Sequence, residues 1–111
     1  YSYTLVKDEP DEMRSQLAAL GEDDACQAVI LSGGTGIAPR DITYETIVPL
    51  LDKRLEGFGE LFRAMSFQDV GPAAMLSRAL AGAMGRTAVF AIPGSPGAVR
   101  LATESLILLN P

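Results

Sequence analysis

The sequence predicts an α/β layered domain in which parallel strands alternate with helices. Two continuous apolar runs, Ala28 to Leu31 and Thr87 to Ile92, read as buried strands. Each runs straight into a glycine-containing turn, Ser32-Gly33-Gly34-Thr35-Gly36 and Pro93-Gly94-Ser95-Pro96-Gly97. Helix-prone sequence follows both turns. Strand, turn and helix repeated in this way indicate parallel strands joined by right-handed crossovers.

The remaining elements follow in chain order. Tyr3 to Val6 is a short β-prone run, and Asp8, Glu9, Pro10 and Asp11 then place acids and a proline where the first turn of a helix accepts them. That helix should reach about Leu20, because Met13, Leu17 and Leu20 recur at offsets of four and three, and Gly21 should end it. Beyond the first glycine loop, Asp41 or Thr43 can cap a helix that carries Ile47, Leu50, Leu51 and Leu55 at helical spacing, kinked or shortened by Pro49. Gly57 and Gly59 should break the pattern, with a second helical piece over about Glu60 to Phe67 and an interruption at Gly71-Pro72. Residues 73–80 are helix-prone, while Ala81 to Gly85 suits more than one state. Ser95 as N-cap with Pro96 at the first helical position should start a final helix reaching about Leu109. No internal repeat, low-complexity tract or linker is visible, so residues 1–111 read as one domain.

Composition narrows the function. With 48% hydrophobic side chains in 111 residues the core is modest, and subunit contacts would help stabilise it. The net charge is −5, and Arg40, Arg54, Arg63, Arg78, Arg86 and Arg100 stand singly, which argues against a nucleic-acid footprint. Such arginines suit ion pairs, one small anion or solvated surface. Cys26 is the only cysteine and there is no histidine, so neither an internal disulfide, a His-containing zinc site nor a Cys–His or Ser–His pair can be assembled within the chain. A reducing, cytoplasmic setting is expected, with any metal a hard ion such as magnesium on carboxylates. No stretch approaches the roughly 20 apolar residues of a membrane span, and none resembles a signal peptide. The chain opens on Tyr1 rather than Met, and further upstream residues are expected.

The two glycine turns should lie at the same sheet edge, since parallel strands point their carboxyl ends one way, and open α/β sheets bind ligands there. Gly33, Gly34 and Gly36 expose backbone to an approaching phosphate or pterin and Thr35 adds a hydroxyl; a tight turn that needs positive φ would use the same residues. Neither loop is a Walker A or a dinucleotide fingerprint, which sets aside ordinary P-loop NTPases and dehydrogenases. Asp41, five residues past Gly36, can serve as an N-cap or as a carboxylate for magnesium or a polar head group, and Asp8 presents the same choice. Two carboxylates beside a glycine-rich anion loop suit a metal-nucleotide, which needs partners of both signs. Glu60 lies among Phe58, Phe62 and Phe67; it suits a solvated helix position, and the phenylalanines suit core or subunit contact.

Ser32-Gly33-Gly34-Thr35-Gly36, Pro39-Arg40-Asp41, Glu56-Gly57-Phe58-Gly59-Glu60, Leu76-Ser77-Arg78 and Pro93-Gly94-Ser95-Pro96 occur together in this order. The set resembles the MoaB/Mog family over about Val6 to Leu109, and Glu56 to Glu60 followed by Met65-Ser66-Phe67 is closer to the MoaB branch. The resemblance implies a three-layer α/β/α fold with a mostly parallel sheet. It implies a molybdopterin adenylyltransferase that uses magnesium-ATP and releases pyrophosphate before metal insertion. Gly33 to Gly36 and Asp41 match the family's active-site loop, and Asp8 with Glu9 match its acidic pair, although Lys7 stands where a proline is usual. Ser77 and the segment Pro93, Gly94, Ser95 match further pocket-lining positions. The implied partners are molybdopterin, ATP, a homotrimer or homohexamer and a downstream metal-insertion protein. Family members normally begin with another strand and helix, the strand ending in a Ser-Asp loop, and nothing in this chain supplies that unit. Three other functions share the fold: pterin binding without adenylylation, a gephyrin-like scaffold, and a CinA-type nucleotide pyrophosphatase, against which Pro39-Arg40-Asp41 speaks.

Overall fold

A computed structural model describes residues 3–6 and 9–107. The chain order is helix α1 (Pro10–Glu22), strand β1 (Ala28–Ser32), helix α2 (Thr43–Ile47), a 3-10 turn (Val48–Leu50) and strand β2 (Lys53–Arg54). Helix α3 (Glu56–Val70), a 3-10 segment (Gly71–Leu76), strand β3 (Leu80–Met84), strand β4 (Thr87–Ile92) and helix α4 (Pro96–Ala102) follow, with a π-helical extension over Thr103–Ile107. The four strands form one sheet in the order β1-β4-β3-β2. The sheet is mixed: β1 runs parallel to β4, whereas β4 with β3 and β3 with β2 are antiparallel.

Alternate residues of β4 divide the core into two layers, as strand geometry requires. Val89 and Ala91, with Leu80 of β3, pack on Met13 and Leu17 of α1 and Ile47 of α2. On the other face Ile92 and Ala81 pack on Phe58 and Phe62 of α3 and Ala102 of α4. Helices therefore cover both sides of the sheet, giving the three-layer α/β/α arrangement. No helix among the described residues is long and apolar enough to cross a membrane.

Several local expectations are corrected. Tyr3 to Val6 forms no strand, and Tyr3 and Leu5 are exposed without a ladder partner among the described residues. Helix α1 runs through Gly21 to Glu22, with the Met84 side chain packed against the bare Cα of Gly21. Strand β1 is a sheet edge with alternating rather than continuous burial; Ile30 stays 47% exposed. The helix expected to carry Ile47 through Leu55 stops after Ile47, where Pro49 turns the chain into the 3-10 turn and then β2. Leu51 and Leu55 consequently leave the helical stripe. Gly57 and Gly59 do not break α3 but lie in its first turns. Each costs about 1 kcal/mol relative to alanine, whereas burying Phe58 and Phe62 contributes about 1.5–3 kcal/mol each. Packing wins. A Cβ on Gly59 would sit 2.8 Å from the Ala79 carbonyl oxygen, so the glycine also lets α3 lie close on the approach to β3. Residues 73–80, expected as helix, divide between the 3-10 segment, an irregular stretch over 77–79 and the start of β3.

Strand β4 and the start of α4 match expectation. Ser95 Oγ accepts from the Ala98 amide at 3.2 Å, and Pro96 occupies the first helical turn. The expected extension to Leu109 lies partly outside the described residues, as does Asp8.

Candidate functional site

The parallel pairing of β1 with β4 brings both glycine turns to one sheet edge. The Gly33 amide donates to the Ile92 carbonyl at 2.8 Å, extending the ladder one step beyond the strands. Gly94 packs beside Gly33, a Cβ there meeting Gly33 Cα at 3.5 Å. Gly33 and Gly34 both have positive φ, +108° and +70°. At Gly34 a side chain would also run into Thr43 Oγ1. That hydroxyl donates to the Gly33 carbonyl at 3.0 Å, and the Thr43 amide donates to the Gly34 carbonyl at 3.1 Å. The loop is thereby folded onto the start of α2. Among the described residues, the amides of Gly34, Thr35 and Gly36 have no backbone acceptor. Such a run of unspent N–H donors at a strand end favours an anion.

Thr43 is the first residue of α2 and Ile42 its cap, so neither Asp41 nor Thr43 is the N-cap. Asp41 instead closes its own turn. Its Oδ2 accepts from the Ala38 amide at 2.9 Å, and its amide donates to the Ala38 carbonyl, also at 2.9 Å. The same carboxylate covers Gly36, where a Cβ would lie 2.7 Å from Oδ2. The side chain stays half-buried at the rim of a cleft of about 400 Å³ lined by Ile37, Ala38, Pro39, Ile42, Glu45 and Arg78.

Ser77 lies on the other side of Arg78, in a cleft of about 420 Å³ that also meets Tyr44, Arg54, Glu56 and Arg63. Ser77 Oγ accepts from the Ala79 amide at 3.3 Å. Arg63 donates from Nη1 to the Ala79 carbonyl at 2.9 Å and the Ser77 carbonyl at 3.3 Å, fixing this wall. Arg54 pairs with Glu56 at 2.9 Å and donates to the Tyr44 hydroxyl at 2.9 Å. The predicted site residues thus fall into three adjoining places. Gly33 to Gly36 lie at the strand edge, where Gly33 packs beside Gly94; Asp41 lines one cleft; Ser77 lines the other. Thr35 is buried, whereas Gly94 and Ser95 are exposed and Ser95 caps α4. Glu60 is exposed and lines neither cleft, and Phe67 is 52% exposed.

Arg78 borders both clefts and was only one member of a sequence motif before. Its amide donates to the Thr35 carbonyl at 2.8 Å, Nε to the Gly36 carbonyl at 2.8 Å and Nη2 to the Asp41 carbonyl at 2.9 Å. Both Nη atoms grip the Glu45 carboxylate, and the guanidinium carbon stands 5.1 Å from the Tyr44 ring centroid. Hydrogen bonding from Arg78 holds Glu45 below the ordinary carboxylate range, and the same contact raises Arg78. The signal for Arg78 in the sequence was a charge placed just ahead of a buried apolar run, where it must find acceptors. Glu45 and Tyr44 gave no such signal.

Among the described residues no cluster of three or more acidic, histidine or cysteine side chains is placed to hold a metal. Asp41 is the carboxylate at the loop, and Asp8 lies outside the described residues.

A family model described as "Probable molybdopterin binding domain" matches residues 1–110. Molybdenum cofactor biosynthesis protein B of Bacillus subtilis (strain 168) is 52% identical over 108 residues, covering 96% of this chain and 64% of the relative. A crystal structure of molybdenum cofactor biosynthesis protein B superposes with a TM-score of 0.92 at 49% identity, over 96% of this chain and 67% of that one. The tungsten cofactor synthesizing protein MoaB from Pyrococcus furiosus gives a TM-score of 0.80 at 45% identity, over 92% and 65%. The chain spans a little under two thirds of the length of the curated relatives it matches. Sequence and fold agree, and the chain belongs to the MoaB/Mog family.

Proposed function

We propose that the protein acts in molybdenum cofactor biosynthesis by binding molybdopterin and adenylylating it with magnesium-ATP. The observation that carries this is the glycine loop, in which the Gly34, Thr35 and Gly36 amides have no backbone acceptor among the described residues and which leads directly into the Asp41 turn that lines a cleft of about 400 Å³. In the reaction a terminal phosphate oxygen of molybdopterin attacks the α-phosphorus of ATP. The bond from that phosphorus to the oxygen bridging to the β-phosphate breaks, and pyrophosphate leaves. No protein nucleophile is required, so the chain contributes positioning and charge neutralisation. The amides of Gly34, Thr35 and Gly36 would hold phosphate oxygens. The clefts beside Ser77 and Asp41 would take the rest of the two substrates. Magnesium keeps most of its waters and phosphate oxygens as ligands and needs only one or two protein carboxylates. Asp41 fits that role, because Oδ2 is committed to the Ala38 amide while Oδ1 has no hydrogen-bond partner among the described residues. Bound there, the metal would neutralise charge on the transferring phosphate.

Family membership and the loop geometry support molybdopterin as the ligand. The test is pyrophosphate release by the full-length protein given ATP, magnesium and molybdopterin. Molybdopterin-dependent release is expected. Binding of molybdopterin without release would refute adenylylation and assign the domain to pterin binding alone.

A further inference from the structure

We propose that Arg78 is the positioning residue that sets where the Asp41 carboxylate stands, and that it acts on the reaction by holding the turn from Gly36 to Asp41 rather than by touching substrate. The inference rests on the function proposed above for its kinetic consequence, but its geometry stands apart from it. Residues 36–41 form no regular element, so hydrogen bonds must fix their path. Within the turn, Asp41 and Ala38 hold each other through backbone and carboxylate. Between the turn and the sheet, Arg78 supplies the tie at both ends, to the Gly36 carbonyl and the Asp41 carbonyl, while its own amide holds Thr35.

Arg78 is itself fixed. It stands two residues ahead of β3, next to the buried Ala79, with the Glu45 carboxylate across its fork and the Tyr44 ring at 5.1 Å. A guanidinium has five N–H donors in a rigid plane. Four are spent on Gly36, Asp41 and the two Glu45 oxygens. A group so committed is poorly placed to bind substrate phosphate. Its geometry, rather than its charge, is what the turn uses. Lysine keeps the charge but cannot span two carbonyls and a carboxylate from one plane.

The test combines a double-mutant cycle of Arg78→Lys and Asp41→Asn with amide hydrogen exchange, on the full-length protein. In the pyrophosphate-release assay Arg78→Lys should lower kcat about 10- to 100-fold, with KM for ATP changed by less than about threefold. In the Asp41→Asn background the same substitution should cost at least about threefold less in kcat than it does in the wild-type protein. Losses that multiply, an unchanged kcat, or a raised KM with kcat intact would each overturn the proposal. Exchange at the Ala38 and Asp41 amides should rise about tenfold or more in Arg78→Lys, with β4 amides unchanged. Unchanged exchange at the turn would also overturn it. If the wild-type protein releases no pyrophosphate, adenylylation fails, and the exchange result alone decides the role of Arg78. If Arg78→Lys does not fold, Glu45→Gln replaces it; exchange confined to the turn should again rise, and no rise refutes the proposal.

Discussion

Replacing Gly34 by alanine separates two physical demands on one residue. Its φ of +70° lies in the left-handed region, which costs an L-residue about 1–2 kcal/mol. The new Cβ also meets Thr43 Oγ1, a contact far inside van der Waals separation, and overpacking of this kind costs about 1–3 kcal/mol. Gly34→Ala should therefore destabilise by about 2–5 kcal/mol, a large share of the roughly 5–15 kcal/mol that holds a small domain folded. Thr43→Ala removes the clashing oxygen together with its bond to the Gly33 carbonyl, at about 1–2 kcal/mol. In that background only the φ cost should remain, because the next atom, Thr43 Cβ, is 3.4 Å away. Urea unfolding of the four proteins gives the cycle, with an expected coupling of about 1–3 kcal/mol in favour of the double variant. Strict additivity would refute the close approach, and a cost for Gly34→Ala below about 1 kcal/mol would refute both demands.

Three further outcomes follow from the same geometry. Asp41→Asn keeps an oxygen for the Ala38 amide, so stability should hold while pyrophosphate release falls about 100-fold or more. Glu45 titrates below its ordinary value of 4.5 because Arg78 bonds its charged form. Its pairing therefore stabilises the fold fully above that value and is lost as pH falls through the lowered one. Exchange at the Asp41 amide, corrected for intrinsic rate, should rise across that acid window in the wild-type protein and much less in Glu45→Gln. Ser95→Ala removes the cap on the Ala98 amide and should cost about 1 kcal/mol, measured as a shift in the urea midpoint.

The parts of the fold legible in the sequence were those specified locally. The β4 run from Thr87 to Ile92 and the Ser95-Pro96 helix start each carry their own signal, as does the Met13, Leu17 stripe of α1. Positions settled by distant packing were not legible. Gly57 and Gly59 look like breakers until Phe58, Phe62 and the Ala79 carbonyl are seen to hold α3 together. The two residues of β2 have no periodicity to show, and exist through pairing with Gly82 and Ala83. At the site, the glycine turns were legible because each directly follows a strand-forming apolar run. The work done by Arg78 was hidden because its acceptors, Gly36 and Asp41, lie 42 and 37 residues away.

Strands β3 and β4 meet through a turn in which Gly85 and Arg86 alone separate the paired Met84 and Thr87, with Gly85 at a φ of +61°. Strand β1 reaches β4 only after about 60 intervening residues, since Ala28 pairs with Ala88. A hairpin of the first kind closes in about 1–10 μs, whereas the second pairing must overcome the closure entropy of a long loop before any contact offsets it. This difference predicts that the hairpin forms first and the β1–β4 seam late. The glycine loop hangs on that seam, so the edge that would receive the ligand is predicted to mature after the hairpin. A ligand bridging the two turns would bind only the completed seam and so slow its reopening.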